Sequence, residues 1–367
     1  MKLRRLTGLL LSLVLLFCTG CSQSAAPRSA PSPTAEEQAL SSPSETPAEA
    51  PSNQQAEETV SNEKTDPAPA QEASFTLCAY LPVSSMTQGA AAVAEEYAGS
   101  IAALDYLVRN TGAYWDENGA LSLSDELLDA IETLQGKTAL WCTVNPQGTL
   151  IREGTAGQSI DSPQERQVLA QEIAAFAEQY GLAGIDIDWE FPLDDEWEDF
   201  STFLIALKDT LSRNSEPVAL SLALYPEEIA LSEEAIAALD RIHMMAYDQF
   251  DSEGFHSTMQ AAEDAVAYFT ALGASPQQLV LGIPAYGRPL DGSAQWVFYK
   301  DIDLESISGE NPDLVGDISF NSTATAAQKT QYALEQNLSG AMVYQLLCDR
   351  NDQDALILAC ANMAENA

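Results

Sequence analysis

Histidine and positive charge are both scarce in this sequence. Its 367 residues include two histidines, His243 and His256, and 16 Lys and Arg against 55 Asp and Glu, which gives a net charge of −39. Two histidines cannot build a multi-histidine zinc site, and both lie in unpromising contexts for a Ser-His-Asp triad. So acidic a chain repels phosphate backbones, and we therefore expect no nucleic-acid partner.

Cysteine spacing of the metal-binding kind is also missing. The cysteines beyond the N-terminal leader lie in apolar contexts without a CxxC pair, and buried thiols are their expected state, with disulfides left open for an extracellular protein. Phosphate-loop and dinucleotide fingerprints are absent as well. We therefore expect neither a metal nor a cofactor. The cysteines concerned are Cys78, Cys142, Cys348 and Cys360.

The N-terminus indicates an exported protein. Three basic residues among the first five precede an apolar run at 9–17 that is short for a bilayer span, so residues 1–20 are predicted to be a signal peptide. Small residues then precede Cys21, which resembles a bacterial lipobox, although Cys18 stands where Leu is usual. The resemblance implies lipidation of Cys21 and anchoring at the cell surface. A simple secretory signal is the alternative.

Residues 21–73 have the composition of a disordered tether. From Ser22 onward this segment contains eight prolines, nine acidic residues and no aromatic residue. Such a segment cannot bury enough apolar surface to fold. We expect it to hold the remaining chain, residues 74–367, off the membrane, with a root-mean-square reach on the order of 40 Å.

Predicted strands and helices alternate through residues 74–367. The clearest helix begins at a capping box, Ser162 to Glu165, and ends before Gly181. Alternation of this kind predicts a parallel sheet, and the number of elements favours a closed (β/α)8 barrel over an open sheet. Further helices are predicted at 196–211 and 232–239, and strands at 75–83, 139–144, 184–190, 218–224, 242–247, 279–284 and 340–345.

Three acids share one face of the strand predicted at 184–190. Because side chains alternate along a strand, Asp186, Asp188 and Glu190 point one way and the apolar residues between them point the other way, toward the helices. Like charges roughly 7 Å apart in a poorly solvated barrel do not all ionise at ordinary cost. At least one acid is therefore expected to hold a proton, which suits general-acid catalysis. A structural acidic cluster or a cation site is the alternative.

Three motifs resemble those of glycoside hydrolase family 18. AGIDIDWEFP at 183–192 resembles the DGxDxDxE signature, MAYD at 245–248 resembles MxYD, and LGIPAYGR at 281–288 resembles the seventh strand. They occur in family order. The resemblance implies a retaining glycosidase that cleaves β-1,4 bonds next to N-acetylglucosamine in chitin oligosaccharides, peptidoglycan or N-glycan cores. We expect it to act as a monomer.

The resemblance also implies a role for individual residues. Glu190 matches the general acid. Asp188 matches the carboxylate that orients the 2-acetamido group of the substrate, with Asp186 behind it as a proton-sharing partner, and Tyr247 matches the hydroxyl that hydrogen-bonds the acetamido oxygen. In this family the acetamide of the substrate is itself the nucleophile. The sugar subsites would be lined by Tyr80, Met245, Asp248, Tyr286, Arg288 and Tyr344.

Departures from the family pattern affect the substrate more than the reaction. Ala183 replaces the first motif aspartate, Tyr344 stands where a Trp usually forms the sugar floor, and the strand at 139–144 lacks Ser-x-Gly-Gly. About 55 residues separate the last two strand motifs, which indicates that a large insertion domain is missing and that the groove is shallow. A non-catalytic, lectin-like protein on the same barrel is the alternative, but it would typically lack the acid, and Glu190 and Asp188 are present.

Overall fold

The computed structural model describes residues 75–146, 159–189, 192–307 and 311–367. Cys21, the predicted signal peptide and residues 21–73 lie outside these ranges, and so does Glu190. Within them, no helix combines the length and the apolar character needed to span a bilayer.

Eight parallel strands of the described chain close into a barrel. Each pairs with its neighbours in the order β1-β13-β8-β7-β6-β5-β4-β2, and β2 pairs back with β1. The predicted (β/α)8 barrel is therefore confirmed. The strands, with those outside the barrel included, are β1 (Thr76–Pro82), β2 (Tyr106–Trp115), β3 (Leu121–Leu123), β4 (Ala139–Pro146), β5 (Gly184–Ile187), β6 (Ala219–Leu224), β7 (Arg241–Met244), β8 (Leu279–Pro284), β9 (Tyr286–Pro289), β10 (Val297–Phe298), β11 (Leu314–Val315), β12 (Ile318–Ser319) and β13 (Gly340–Tyr344).

Helices alternate with the barrel strands and cover their outer faces. The predicted capping box is present at the start of the longest one, where Ser162 Oγ accepts from the Glu165 N–H and the Glu165 carboxylate accepts from the Ser162 N–H. Gly181 ends this helix in the left-handed conformation, at φ 62°. The helices are α1 (Ala90–Glu96), α2 (Ala98–Ala102), α3 (Asp125–Leu134), α4 (Pro163–Tyr180), α5 (Trp197–Leu211), α6 (Glu233–Ala238), α7 (Met259–Ala271), α8 (Thr323–Glu335) and α9 (Leu356–Glu365).

The sequence analysis missed one barrel strand, β2. The centre of this strand is polar, and its pairing with β4 shifts register between Arg109 and Ala113. Within the shift, Thr111 adopts a left-handed φ of 65°. This irregularity interrupts the alternation of apolar and polar residues by which a strand is recognised. The strand forms in spite of this irregular pattern because it is buried between β1 and β4 and pairs with both.

The predicted alternation of side chains along β5 is observed. Ile185, Ile187 and Trp189 are buried on the outer face, where Trp189 packs on Phe200 of α5. Asp186 is buried on the inner face. The strand itself is shorter than predicted and ends at Ile187, because the main-chain oxygen of the next residue accepts a side-chain hydrogen bond instead of a ladder bond.

Between β8 and β13 the chain forms a small antiparallel sheet in the order β10-β9-β12-β11, and no separate domain is seen among its described residues.

The described cysteines are buried thiols outside any disulfide, as expected. Burial raises the pKa of each of them to about 12.

Candidate active site

Asp186 lies at the centre of the barrel and accepts three hydroxyl donors. Tyr80 Oη and Thr143 Oγ1 lie 2.8 Å and 3.0 Å from Asp186 Oδ2, and Ser221 Oγ lies 2.5 Å from Oδ1. All four side chains are buried. Since β1, β4 and β6 each supply one hydroxyl, closure of the barrel is what assembles this site.

The sequence analysis missed two of these donors. Thr143 and Ser221 are the residues that pair in register with Asp186 on the two neighbouring strands, β4 and β6. Side chains at the same level of adjacent strands share a face, so strand register is the signal that identifies them. Thr143 lies in the strand that lacks the Ser-x-Gly-Gly pattern, and its hydroxyl still reaches the acid.

His243 was also missed, and it contacts the same cluster. Its Nδ1 lies 2.7 Å from Tyr80 Oη and 3.3 Å from Asp186 Oδ1. Its Nε2 lies 3.0 Å from Tyr106 Oη. The side chain is completely buried, on the inner face of β7. In the sequence, an isolated histidine between apolar residues resembles an ordinary core residue. Its contact with an acid is seen only in the closed barrel.

Asp188 lies nearer the mouth of the barrel and is half-buried. Asn145 Nδ2, at the end of β4, donates to the Asp188 main-chain oxygen at 3.0 Å and approaches its Oδ2 at 3.4 Å. Burial, together with the nearby carboxylates of Asp186 and Asp188, raises the pKa of Tyr80 well above its usual range. The Tyr80 hydroxyl therefore keeps its proton. Glu190, the predicted general acid, is outside the described residues.

Asp248 organises a second group of predicted site residues. Tyr286 Oη donates to Asp248 Oδ2 at 2.8 Å, and the Arg288 guanidinium pairs with Oδ1. Burial raises the pKa of Asp248, while Arg288 and Tyr286 act in the opposite direction. Met245 is buried beside Tyr286 in the inner aromatic cluster. The structure thus brings the MAYD and LGIPAYGR motifs together at one end of the barrel.

The Asp248 backbone is held by a neutral histidine. Asp248 adopts a left-handed φ of 60°, and its N–H donates to His256 Nε2 at 2.9 Å. Burial, with the cations Lys329 and Arg288 nearby, lowers the pKa of His256 well below 6.5. The 3.6 Å approach of Nε2 to Asp248 Oδ1 is therefore not an ion pair.

A buried lysine supports the same loop from the side of α8. In its ammonium form, Lys329 Nζ donates to the Ser257 main-chain oxygen at 2.7 Å, to Ser257 Oγ at 2.9 Å and to Asn321 Oδ1 at 2.8 Å. Ser257 Oγ in turn donates to the main-chain oxygen of Ala246 at 2.7 Å. Lys329 is thus connected to the residue that precedes Tyr247 in the MAYD motif.

The lowered pKa of Lys329 predicts that the stability of the protein depends on pH. Burial lowers its pKa from 10.5 to about 7. Between these values the unfolded chain binds a proton that the folded chain lacks, so the contribution of Lys329 to stability rises with pH, by at most about 1.4 kcal/mol per pH unit. From pH 7 to pH 9, the free energy of unfolding of the wild type should therefore rise relative to that of Lys329→Met.

Urea unfolding at several pH values measures both free energies. Lys300→Met removes an exposed lysine and serves as the control, relative to which we expect no such rise. A difference between wild type and Lys329→Met that stays constant from pH 7 to pH 9 would contradict the lowered pKa of Lys329.

Aromatic rings form the mouth of the site. Tyr247 stacks on Tyr344 with ring centroids 5.5 Å apart, and Tyr286 stacks on Trp296 at 3.8 Å and an interplanar angle of 4°. Trp296 meets Tyr344 edge-on at 6.3 Å. Trp296 lies between β9 and β10, outside every motif, and was therefore missed by the sequence analysis. Its partly exposed indole adds aromatic area beside Tyr344, where the family usually has a Trp.

Since the resemblance to family 18 implies a glycan substrate, Trp296→Ala is expected to weaken glycan binding. Loss of an aromatic platform of this size costs about 1–2 kcal/mol, which corresponds to a roughly 5- to 30-fold rise in KM. Trp296→Phe should recover part of the loss. Phe298→Ala, which removes an exposed ring from the same hairpin, is the control. Steady-state kinetics on a chitooligosaccharide measures the effect, and an unchanged KM in Trp296→Ala would exclude the indole from the subsites.

The remaining departure, Ala183, lies away from the acids. It is exposed and precedes β5, at the end of the strand opposite to Asp188. Across the described ranges, no group of three or more His, Cys, Asp or Glu side chains is placed to hold a metal ion.

The fold and the site together define a glycosidase-type (β/α)8 barrel. Carboxylates lie at the carboxyl ends of parallel strands, where enzymes with this fold place their reactive groups. Tyrosine and tryptophan rings surround them with surfaces that suit a pyranose ring.

The chain belongs to glycosyl hydrolases family 18, whose family model matches residues 59–349. The resemblance found in the sequence motifs is thereby confirmed. Chitinase 1 of Aphanocladium album is 24% identical over 245 residues, which are 52% of this chain and 58% of that relative. The chain thus spans less than two thirds of the length of this curated relative.

Solved structures share the fold. A chitinase from Bacteroides thetaiotaomicron, 20% identical, superposes with a TM-score of 0.65 over 79% of this chain and 96% of its own. A family 18 chitinase from Cycas revoluta in complex with (GlcNAc)3, 18% identical, superposes with a TM-score of 0.60 over 79% of this chain and 99% of its own.

Proposed function

We propose that this protein is a surface-anchored glycosidase that hydrolyses β-1,4 bonds next to N-acetylglucosamine with retention of configuration. The observation that carries the proposal is the pair of acids in the barrel. Asp186 is held by three hydroxyls, and Asp188 lies beyond it toward a mouth lined by Tyr247 and Tyr344. Family membership and the chitinases among its relatives support the same class of glycan.

The proposed reaction has two steps, and the nucleophile is the acetamido oxygen of the substrate. In the first step this oxygen attacks the anomeric carbon while Glu190 protonates the leaving oxygen, and the glycosidic bond breaks to give an oxazolinium ion. In the second step water adds to the anomeric carbon from the face of the departed group, Glu190 takes its proton, and the acetamide re-forms. Asp188 and Tyr247 hold the acetamide in line, which uses the proximity of two groups in one molecule.

Product analysis tests this function. Chitotetraose, peptidoglycan fragments and an N-glycan core are each incubated with the full chain, and NMR follows the configuration of the first product. We expect hydrolysis of at least one glycan, with β product initially. A fully deacetylated chitotetraose should be inert, because it lacks the attacking oxygen. Inverted α product, or efficient cleavage of the deacetylated chain, would contradict the mechanism. Binding without hydrolysis would favour the lectin-like alternative.

The anchoring part of the proposal rests on Cys21. If the thiol of Cys21 is acylated, the protein expressed in a bacterium should partition into the detergent phase and incorporate a labelled fatty acid. Cys21→Ala should abolish the label, and Cys18→Ala, the neighbouring cysteine, should leave it in place. Labelling that persists in Cys21→Ala would show that the lipobox interpretation is wrong.

A further inference from the structure

The proposed mechanism leaves His243 without a role, although this imidazole lies 3.3 Å from Asp186. The ring is completely buried between strands that present Ala223 and Val280 at the same level. It is also enclosed by the rings of Tyr106 and Trp141. A buried imidazole with both nitrogens engaged is costly unless its hydrogen bonds are complementary. The direction of those hydrogen bonds therefore indicates which imidazole nitrogen carries the proton.

The Tyr80 hydroxyl determines which imidazole nitrogen carries the proton. It has a single hydrogen and lies 2.8 Å from Asp186 Oδ2 and 2.7 Å from His243 Nδ1. When Asp186 is a carboxylate it only accepts, so the hydroxyl hydrogen points to Asp186 and its oxygen accepts from His243 Nδ1–H. In the opposite state Asp186 carries the proton, the Tyr80 hydroxyl turns to His243, and Nδ1 becomes the acceptor. The position of the proton on His243 thus determines, through the Tyr80 hydroxyl, whether Asp186 accepts a hydrogen bond from Tyr80.

The groups around His243 keep their own protons. Burial raises the pKa of Tyr80 and Tyr106 well above their usual range and that of Cys78 to about 12. Tyr106 Oη, 3.0 Å from Nε2, is accordingly available to donate to an unprotonated Nε2. The titratable and charged groups that face this cluster come from several elements. They are Cys78 and Tyr80 on β1, Asp105 before β2, Tyr106 on β2, Asp186 on β5, Asp188 after β5, Arg241 on β7 and Tyr247 after β7. The Arg241 guanidinium lies 5.3 Å from the Tyr106 ring centroid.

We propose that His243 is a positioning residue, which acts through the Tyr80 hydroxyl to hold Asp186 as a hydrogen-bond acceptor. The Nδ1–H of His243 directs the Tyr80 proton toward Asp186, and Thr143 and Ser221 donate to the same carboxylate. This inference rests on the proposed function for its effect on turnover, but the proton arrangement itself can be measured without a substrate.

Nitrogen NMR of the imidazoles tests the arrangement directly. The chain has two histidines, and His256→Asn leaves one of them, so the His243 signals are assigned by difference. We expect Nδ1 to be protonated and Nε2 to be unprotonated near neutral pH. Tyr80→Phe removes the partner of Nδ1–H and should change both nitrogen shifts. The Nε2–H tautomer in the wild type would overturn the proposal, whether or not any glycan is hydrolysed.

Kinetics test the effect on the acids. His243→Phe keeps a ring and removes both nitrogens, and we expect kcat to fall about 10- to 100-fold with KM changed less than about 3-fold, since substrate does not touch the imidazole. The pH profile of kcat should shift in the same variant. His243→Asn retains an amide N–H near the Nδ1 position and should recover most of the loss, so it remains informative if His243→Phe folds poorly.

A double-mutant cycle separates positioning from simple packing. If His243 acts through Tyr80, Tyr80→Phe/His243→Phe should be about as slow as Tyr80→Phe alone. Losses in kcat that multiply would overturn the proposal, as would a lower melting temperature with an unchanged pH profile, which is the result of a packing role. Failure of the wild type to hydrolyse any glycan would contradict the proposed function, and the NMR measurement would still decide the orientation of His243.

Discussion

Glu190→Gln is expected to lower kcat by about 10²- to 10⁴-fold while the affinity for glycan is kept, because glutamine preserves shape and hydrogen bonding but removes general-acid catalysis. Glu190 follows Asp186 and Asp188 at a spacing of two residues, from which the sequence predicts that all three acids share one face. It comes last of the three in the sequence, after the carboxyl end of β5, and barrel enzymes carry their reactive groups on that side of the sheet.

The leaving group provides the sharpest readout for this substitution. A substrate with an acidic phenol as leaving group needs little protonation, so Glu190→Gln should be impaired much less on an aryl glycoside than on a natural glycan. Glu198→Gln, which alters an exposed glutamate on α5, is the matched control and should behave as the wild type. Equal losses on both substrates, or unchanged turnover of the natural glycan, would remove Glu190 from proton transfer.

Asp186→Asn is expected to lower both stability and turnover. Three hydroxyls donate to Asp186, and an amide that replaces one carboxylate oxygen by NH2 turns one acceptor into a donor that faces them. A buried polar group left unsatisfied costs about 1–3 kcal/mol. Turnover should fall by at least about 100-fold, because the variant lacks the carboxylate that the family resemblance implies as the proton-sharing partner of Asp188.

Two measurements separate these effects. Chemical denaturation gives the change in stability, and single-turnover kinetics on folded protein gives the change in turnover. Ser221→Ala, which removes one of the three donors and leaves the carboxylate, should cost only about 1 kcal/mol. An Asp186→Asn variant as stable and as active as the wild type would show that the three hydroxyls do not depend on a carboxylate partner.

The order of elements in the barrel and the motif residues were predictable because their signals are local. The capping box at Ser162 and the helix end at Gly181 depend on residues a few positions apart, and both are observed. The alternation of Asp186 with Ile185 and Ile187 follows from the period of a strand. The missed strand β2 shows the limit of this approach, because a bulge near Thr111 removes the period while burial keeps the strand in the sheet.

The class of fold, the family and the motif acids could thus be predicted from the sequence. The groups that surround those acids could not, because they are brought together by the closed barrel. Thr143 and Ser221 reach Asp186 because barrel closure sets the register of three strands, and Lys329 reaches Ser257 across 72 positions of the chain. Such contacts leave no local pattern, since the two partners lie on elements that are far apart in the sequence. Their partners are defined by strand order and register, which are properties of the closed barrel and not of any one segment.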